Sequence, residues 1–129
     1  MDQLYSSPQG YLYNLQTLTS KEARKMWRKK IKEQWDNSCA YCGSKENLTI
    51  DHVVPKSKGG LNCTKNVVCS CLQCNGSKAD SEWKQWYLNQ DFFSEINKSK
   101  IEQWIDHEED GKVKLYRYKQ RKNYIPEVA

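Results

Sequence analysis

Apolar and polar positions alternate along this chain in a way that resolves it into short elements. Ser7-Pro8 opens a helical stretch with Tyr11, Leu12 and Leu15 on one side. "TSKE", Thr19 to Glu22, has the form of a capping box and predicts a helix running to about Asp36. On it Ala23, Met26, Trp27, Ile31 and Trp35 share an apolar face, while Lys21, Arg24, Lys25, Arg28, Lys29 and Lys32 form a basic stripe opposite. A knuckle-like turn then leads into a strand at Leu48 to His52, a loop through "KSKGGLNCTKN", and a second strand at Asn66 to Cys69. Helices are expected at Leu72 to Ala79 and at Ser81 to Asn89. A last one carries Ile101, Trp104 and Ile105 and should stop at Gly111. Lys112 to Lys119 suits either a strand or an extended basic arm. Two strands among helices make this an α+β chain.

Composition adds a constraint. Mean hydropathy is −0.97 and 29% of residues are charged, so the aliphatic core is thin. Five tryptophans and eight tyrosines supply much of the surface that can be buried. Small cores of this kind usually need a disulfide or a metal, and six cysteines are at hand. No run reaches the length of a membrane span, and Met1 leads into polar sequence rather than a signal peptide's apolar region. A reducing, cytoplasmic setting is therefore expected, where paired cysteines more often hold metal than bond to one another.

The cysteines themselves point the same way. Cys39 and Cys42 form one C-x-x-C pair, and Cys71 and Cys74 another. Four thiolates on two knuckles suit one tetrahedral zinc, which supplies folding energy to small domains. A redox role would call for a thioredoxin-like βαβ unit, and neither pair lies in one. Cys69 reads as a small core residue and Cys63 as a spectator in the loop.

Between the pairs stands "IDHVVPKSKGG", with Asp51 and His52 where the first strand should end before Pro55. Adjacent strand residues point to opposite faces, so this pair can serve one site only where the strand twists or stops. Asn75 follows Cys74 directly, and Lys78 lies one helical turn on. Singly, an Asp–His pair is commonly a turn and an Asn a cap. Together, a carboxylate and a carboxamide oxygen are hard ligands suited to magnesium. Asp51 and Asn75 could hold one divalent cation against a phosphate while His52 deprotonates water.

"CAYCG", "IDHVVPKSKGG", "KNVVCSC" and "CLQCNGSK", in this order across residues 39–78, resemble the HNH endonucleases of the ββα-metal fold. The resemblance implies that His52 is the general base, with Asn66 helping to position it. It makes Asp51 and Asn75 ligands of Mg²⁺ or Mn²⁺, and it puts Lys78 near the phosphate. Asn75 stands where some members carry His, which makes this an H-N-N variant. "SPQGYLYNL", "DFFS" and "KIEQWI" look like the flanks of small phage-type HNH proteins, including homing endonucleases.

Net charge is +5, unevenly placed. Lys21 to Glu33 holds seven Lys or Arg against two Glu, and Gly111 to the end holds six against one. Glu102, Asp106, Glu108, Glu109 and Asp110 form an acidic patch between these basic ends. Basic ends suggest a polyanionic partner, or more simply solvated faces. With the resemblance, double-stranded DNA is the expected partner, met by Lys25, Arg28, Lys29, Lys56, Lys58, Arg117, Lys119, Arg121 and Lys122. The expected organisation is one HNH domain over 1–129. Its parts are a helical DNA-contact segment at 1–38, the ββα-metal core at 39–80, and C-terminal helices with a basic tail at 81–129. Such a chain, a monomer or homodimer, would act in a cytoplasm, the host's if phage-encoded. The alternative is a zinc-stabilised module that binds nucleic acid without cutting it; hard ligands beside a histidine argue for the enzyme.

Overall fold

The structure, a computed structural model, describes residues 4–15 and 18–105. Helix α1 is Pro8–Asn14, with proline at its start where the missing N–H costs nothing. Helix α2 is Ser20–Gln34. Its capping box closes in both directions: Glu22 N–H donates to Thr19 Oγ1 at 3.1 Å, and Thr19 N–H donates to Glu22 Oε1 at 2.9 Å. Two antiparallel strands follow, β1 at Leu48–His52 and β2 at Val67–Cys71, in the register Leu48↔Cys71 to His52↔Val67. Helices α3 (Leu72–Lys78), α4 (Trp83–Leu88) and α5 (Glu95–Ile105) complete the described chain. Gly111 and the Lys112 to Lys119 segment lie outside the described residues.

Strand β2 runs two residues beyond the expected Cys69 and is buried at every position. Val67 joins Tyr11, Ala23, Trp27 and Ile31 in a core beneath α1 and α2. Val68, one residue on, faces a second core with Tyr41, Val53, Trp83, Tyr87 and Ile101. The sheet thus lies between two helical layers. A strand covered on both faces loses the polar alternation that marks its ends in a sequence, which is why Ser70 and Cys71 escaped the pattern.

Aromatic residues also tie the layers together by hydrogen bonds. Trp27 Nε1 donates to Thr64 Oγ1 at 2.8 Å, and Thr64 Oγ1 donates onward to the Tyr5 carbonyl at 2.6 Å. Trp104 Nε1 donates to the Val67 carbonyl at 2.8 Å and stacks edge-on against Trp35 with centroids 5.5 Å apart. Both N- and C-terminal helices are thereby pinned to the turn that enters β2. Trp27→Phe keeps most of the ring and deletes the donor to buried Thr64. It should cost about 1 kcal/mol, read as a lower urea midpoint at unchanged slope.

Candidate active site and metal centre

The register of the hairpin decides what meets what. Leu48 pairs with Cys71, so the end of β2 arrives beside the Cys39–Cys42 knuckle, and α3 then delivers Cys74. The four Sγ atoms lie within 4.8 Å of one another. Cys42 Sγ and Cys71 Sγ are 3.8 Å apart, the edge of a tetrahedron whose metal–sulfur bonds are ~2.3 Å. Backbone N–H groups aim at the sulfurs: Tyr41 and Cys42 at Cys39 Sγ, and Cys74 at Cys71 Sγ at 3.4 Å. Burial opposes ionisation of Cys39, yet these donors hold its thiol below the ordinary value. Burial and the neighbouring sulfurs push Cys42 and Cys74 up. A shell of this kind fits a thiophilic cation such as zinc, which lets all four ionise together. Cys69 is fully buried in β2, where burial pushes its thiol up to about 11.

Alternate residues of β1 serve different layers. Thr49 and Asp51 face α3. Asp51 is 3% exposed, and each carboxylate oxygen has a protein donor: Tyr41 Oη at 2.7 Å and Lys78 Nζ at 3.2 Å. Burial pushes its carboxyl up, against the pull of the Lys78 charge and the Tyr41 hydroxyl. Lys78 is itself fully buried and also donates to the His52 carbonyl at 3.1 Å. Lys78 thus braces the Asp51–His52 backbone from beneath, with no surface of its own toward a phosphate.

Asn75 Nδ2 donates to Thr49 Oγ1 at 2.9 Å and, more loosely, to the Ile50 carbonyl at 3.5 Å. The amide nitrogen is held inward, which leaves Oδ1 as the atom for a ligand. Asp51 keeps a second lone pair on each oxygen. A carboxylate and a carboxamide oxygen are the donor types that a hard cation such as Mg²⁺ takes.

His52 faces the other way, toward α2. Its Nε2 lies 2.9 Å from Asn62 Oδ1. An amide oxygen only accepts, so in the neutral ring this contact puts the proton on Nε2 and leaves Nδ1 as the basic nitrogen. Burial holds the imidazole below its ordinary range, with Asn62 opposing and the Lys56 charge assisting. Asn62 carried no expectation from the sequence. Nothing in a loop Asn ten residues from a histidine announces that they meet.

Asn66, expected to help position the base, does so at one remove. It is fully buried and clamps the loop after β1. Val54 N–H donates to Asn66 Oδ1 at 2.9 Å, and Asn66 Nδ2 donates to the carbonyls of Val54 (3.0 Å) and Leu61 (2.8 Å). Gly60 is required here, because a Cβ would collide with the Val54 carbonyl and crowd the Asn66 amide at 2.9 Å. The clamp folds the loop back so that Asn62 meets His52.

The expected DNA contacts divide by place. Arg28 and Lys56 line a cleft of about 340 Å³ with His52. Lys25 and Lys29 are exposed on α2 outside that lining, and Lys58 lines a separate hollow beside Asp80 and Trp83. Arg117, Lys119, Arg121 and Lys122 lie outside the described residues, as do Asp106, Glu108, Glu109 and Asp110 of the acidic patch.

Comparison with known proteins agrees with this geometry. Residues 39–85, which hold both knuckles, β1, β2 and α3, match the HNH endonuclease family model. The chain is 35% identical over 68 residues to the CRISPR-associated endonuclease Cas9 of Corynebacterium diphtheriae, covering 50% of this chain and 6% of that protein. It is 31% identical over 96 residues to the SPbeta prophage-derived putative HNH endonuclease YoqL of Bacillus subtilis, covering 62% of this chain and 40% of the relative. Over residues 39–85 the chain is thus similar to HNH endonucleases, and it spans less than half the length of either relative. Among the described residues, no helix is long and apolar enough to cross a membrane.

Two outcomes follow from the buried polar groups. Asn66→Ala strands the Val54 amide and two carbonyls, and should cost about 1–3 kcal/mol or more in a urea titration. Lys78→Met leaves Asp51 as an unpaired buried carboxylate and should cost about 3–5 kcal/mol. Adding Asp51→Asn to it should recover much of that loss in a double-mutant cycle.

Proposed function

We propose that the chain is a metal-dependent DNA endonuclease that hydrolyses one phosphodiester bond per site. The observation that carries this reading is a hydrogen-bonded histidine at the end of β1, set between a pair of hard oxygen donors and a basic cleft. His52, neutral and protonated at Nε2, would take a proton from the attacking water at Nδ1. Asp51 and Asn75 would hold the divalent cation, Mg²⁺ or Mn²⁺, which supplies charge stabilisation at the phosphate. Asn62 and Asn66 keep the ring and its loop in place, and Lys78 holds Asp51 and the His52 carbonyl fixed from below.

The resemblance implies 5′-phosphate and 3′-hydroxyl ends. One such site cuts one strand, so a monomer would nick duplex DNA and a paired assembly could break both strands. The prophage-derived relative favours a phage-type role, homing or nicking.

Cys39, Cys42, Cys71 and Cys74 would hold one structural zinc per chain. Elemental analysis should find one equivalent, and Cys71→Ser should lose both the metal and the folded state. Structural zinc contributes roughly 10–16 kcal/mol, as much as a whole domain's stability of about 5–15 kcal/mol.

Supercoiled plasmid with Mg²⁺ tests the activity. The parent should convert it to nicked circles, and chelator should stop the reaction. His52→Ala should slow cleavage by roughly 10²–10⁴-fold at unchanged zinc content and melting temperature. Asn75→Ala should also lose cleavage but recover in part at high Mg²⁺, since it is assigned to the cation. A His52→Ala chain that is folded and cuts like the parent would overturn His52 as the base, and a parent that binds DNA without cutting it would be a binding module instead.

A further inference from the structure

The cleft beside His52 is built from two parts of the chain. One wall is the free edge of β1, at Thr49, Ile50 and His52, with Lys56 and Asn62 from the following loop. The other wall is α2, through Arg24, Trp27, Arg28 and Lys32. That helix precedes residues 39–85, so the family match does not reach it.

Three features of this cleft point to one kind of occupant. No carboxylate lines it. Among the described residues, none of Arg24, Arg28, Lys32 and Lys56 forms an ion pair. Four cations around one hollow, none of them paired with a described residue, create a positive potential that a polyanion relieves. The spacing is also regular. Arg24, Arg28 and Lys32 recur every fourth residue, which sets successive cations ~6 Å apart along the helix axis. That step is comparable to the distance between neighbouring phosphates of one strand. Finally, Thr49 joins the cleft to the other half of the site, since its hydroxyl accepts from Asn75 Nδ2. A strand in the cleft would pass His52 with the Asp51–Asn75 oxygens just around the edge of β1.

We infer that this cleft seats the phosphate backbone of the strand to be cut, with Arg24, Arg28 and Lys32 as its anion-binding wall. That the seated strand is the one cut rests on the nuclease reading, and the seating of phosphates rests on the cleft alone. It keeps Arg28 and Lys56 of the sequence expectation and adds Arg24 and Lys32. Lys25 and Lys29 lie one step further around the helix and do not line the cleft.

The test compares two triple variants of equal charge in a His52→Ala chain, where DNA stays intact. One is Arg24→Gln, Arg28→Gln, Lys32→Gln; the other is Lys21→Gln, Lys25→Gln, Lys29→Gln. Fluorescence anisotropy with a labelled duplex is followed across salt concentration. Each lost phosphate contact lowers the log–log salt slope by about 0.9, so the cleft triple should lose close to three such steps and the outer triple less than one. Arg28→Gln alone, the mildest change, should lose one step, and melting curves accompany each variant. Equal slopes for the two triples, a larger loss for the outer one, or no DNA binding by the parent would overturn the cleft assignment. A clear difference in slope from a parent chain that leaves plasmid uncut would keep the cleft and overturn the nuclease reading.

Discussion

The pairing of β1 with β2 sets the position of everything else. One ladder of five residue pairs brings Cys71 to the Cys39–Cys42 knuckle at one end and places His52 opposite Val67 at the other. A two-stranded sheet is marginal in water by itself. Here it is held by the sulfur shell, by α2 on one face and by α3 and α4 on the other. Metal shell and candidate site are opposite ends of the same short ruler.

They are also joined by a chain of polar contacts. Tyr41 lies between the two cysteines of the first knuckle, and its hydroxyl donates to Asp51. Asp51 in turn holds Lys78, which holds the His52 carbonyl. Tyr41 is buried against Trp86 and Tyr87, and the Tyr87 hydroxyl caps the Tyr41 carbonyl at 2.6 Å. A shift of the knuckle would therefore reach the carboxylate through a rigid ring rather than a flexible stem. The buried Asp51–Lys78 pair is costly to remove from water, and its return lies in fixing where that carboxylate points.

Much of this was legible in the sequence, for identifiable reasons. The capping box of α2, the Leu48–His52 strand and the two knuckles are local signals, each carried by a few residues with a characteristic spacing. What failed to show depends on contacts across the fold. Asn62 meets His52 only because Asn66 folds the loop back, and Lys78 is buried only because α3 lies under β1. The basic stripe of α2 was plain, yet its six cations span one broad arc of the helix. Only the packing of Ala23, Trp27 and Ile31 tells which edge of that arc turns toward His52. Boundaries slipped where burial on both faces erased the alternation, as at the end of β2.

The alternation of β1 also bears on how such a chain can vary through time. Thr49 and Asp51 belong to one layer and Ile50 and His52 to the other, so the roles of neighbouring residues are set by parity. A single inserted or deleted residue between the first knuckle and Asp51 could be absorbed in the loop before Leu48. The same change inside Leu48–Asp51 would turn the carboxylate toward α2 and the imidazole toward α3, exchanging their surroundings at a stroke. A change of length is therefore tolerable only in the segments flanking the strand, because inside β1 it exchanges the surroundings of Asp51 and His52.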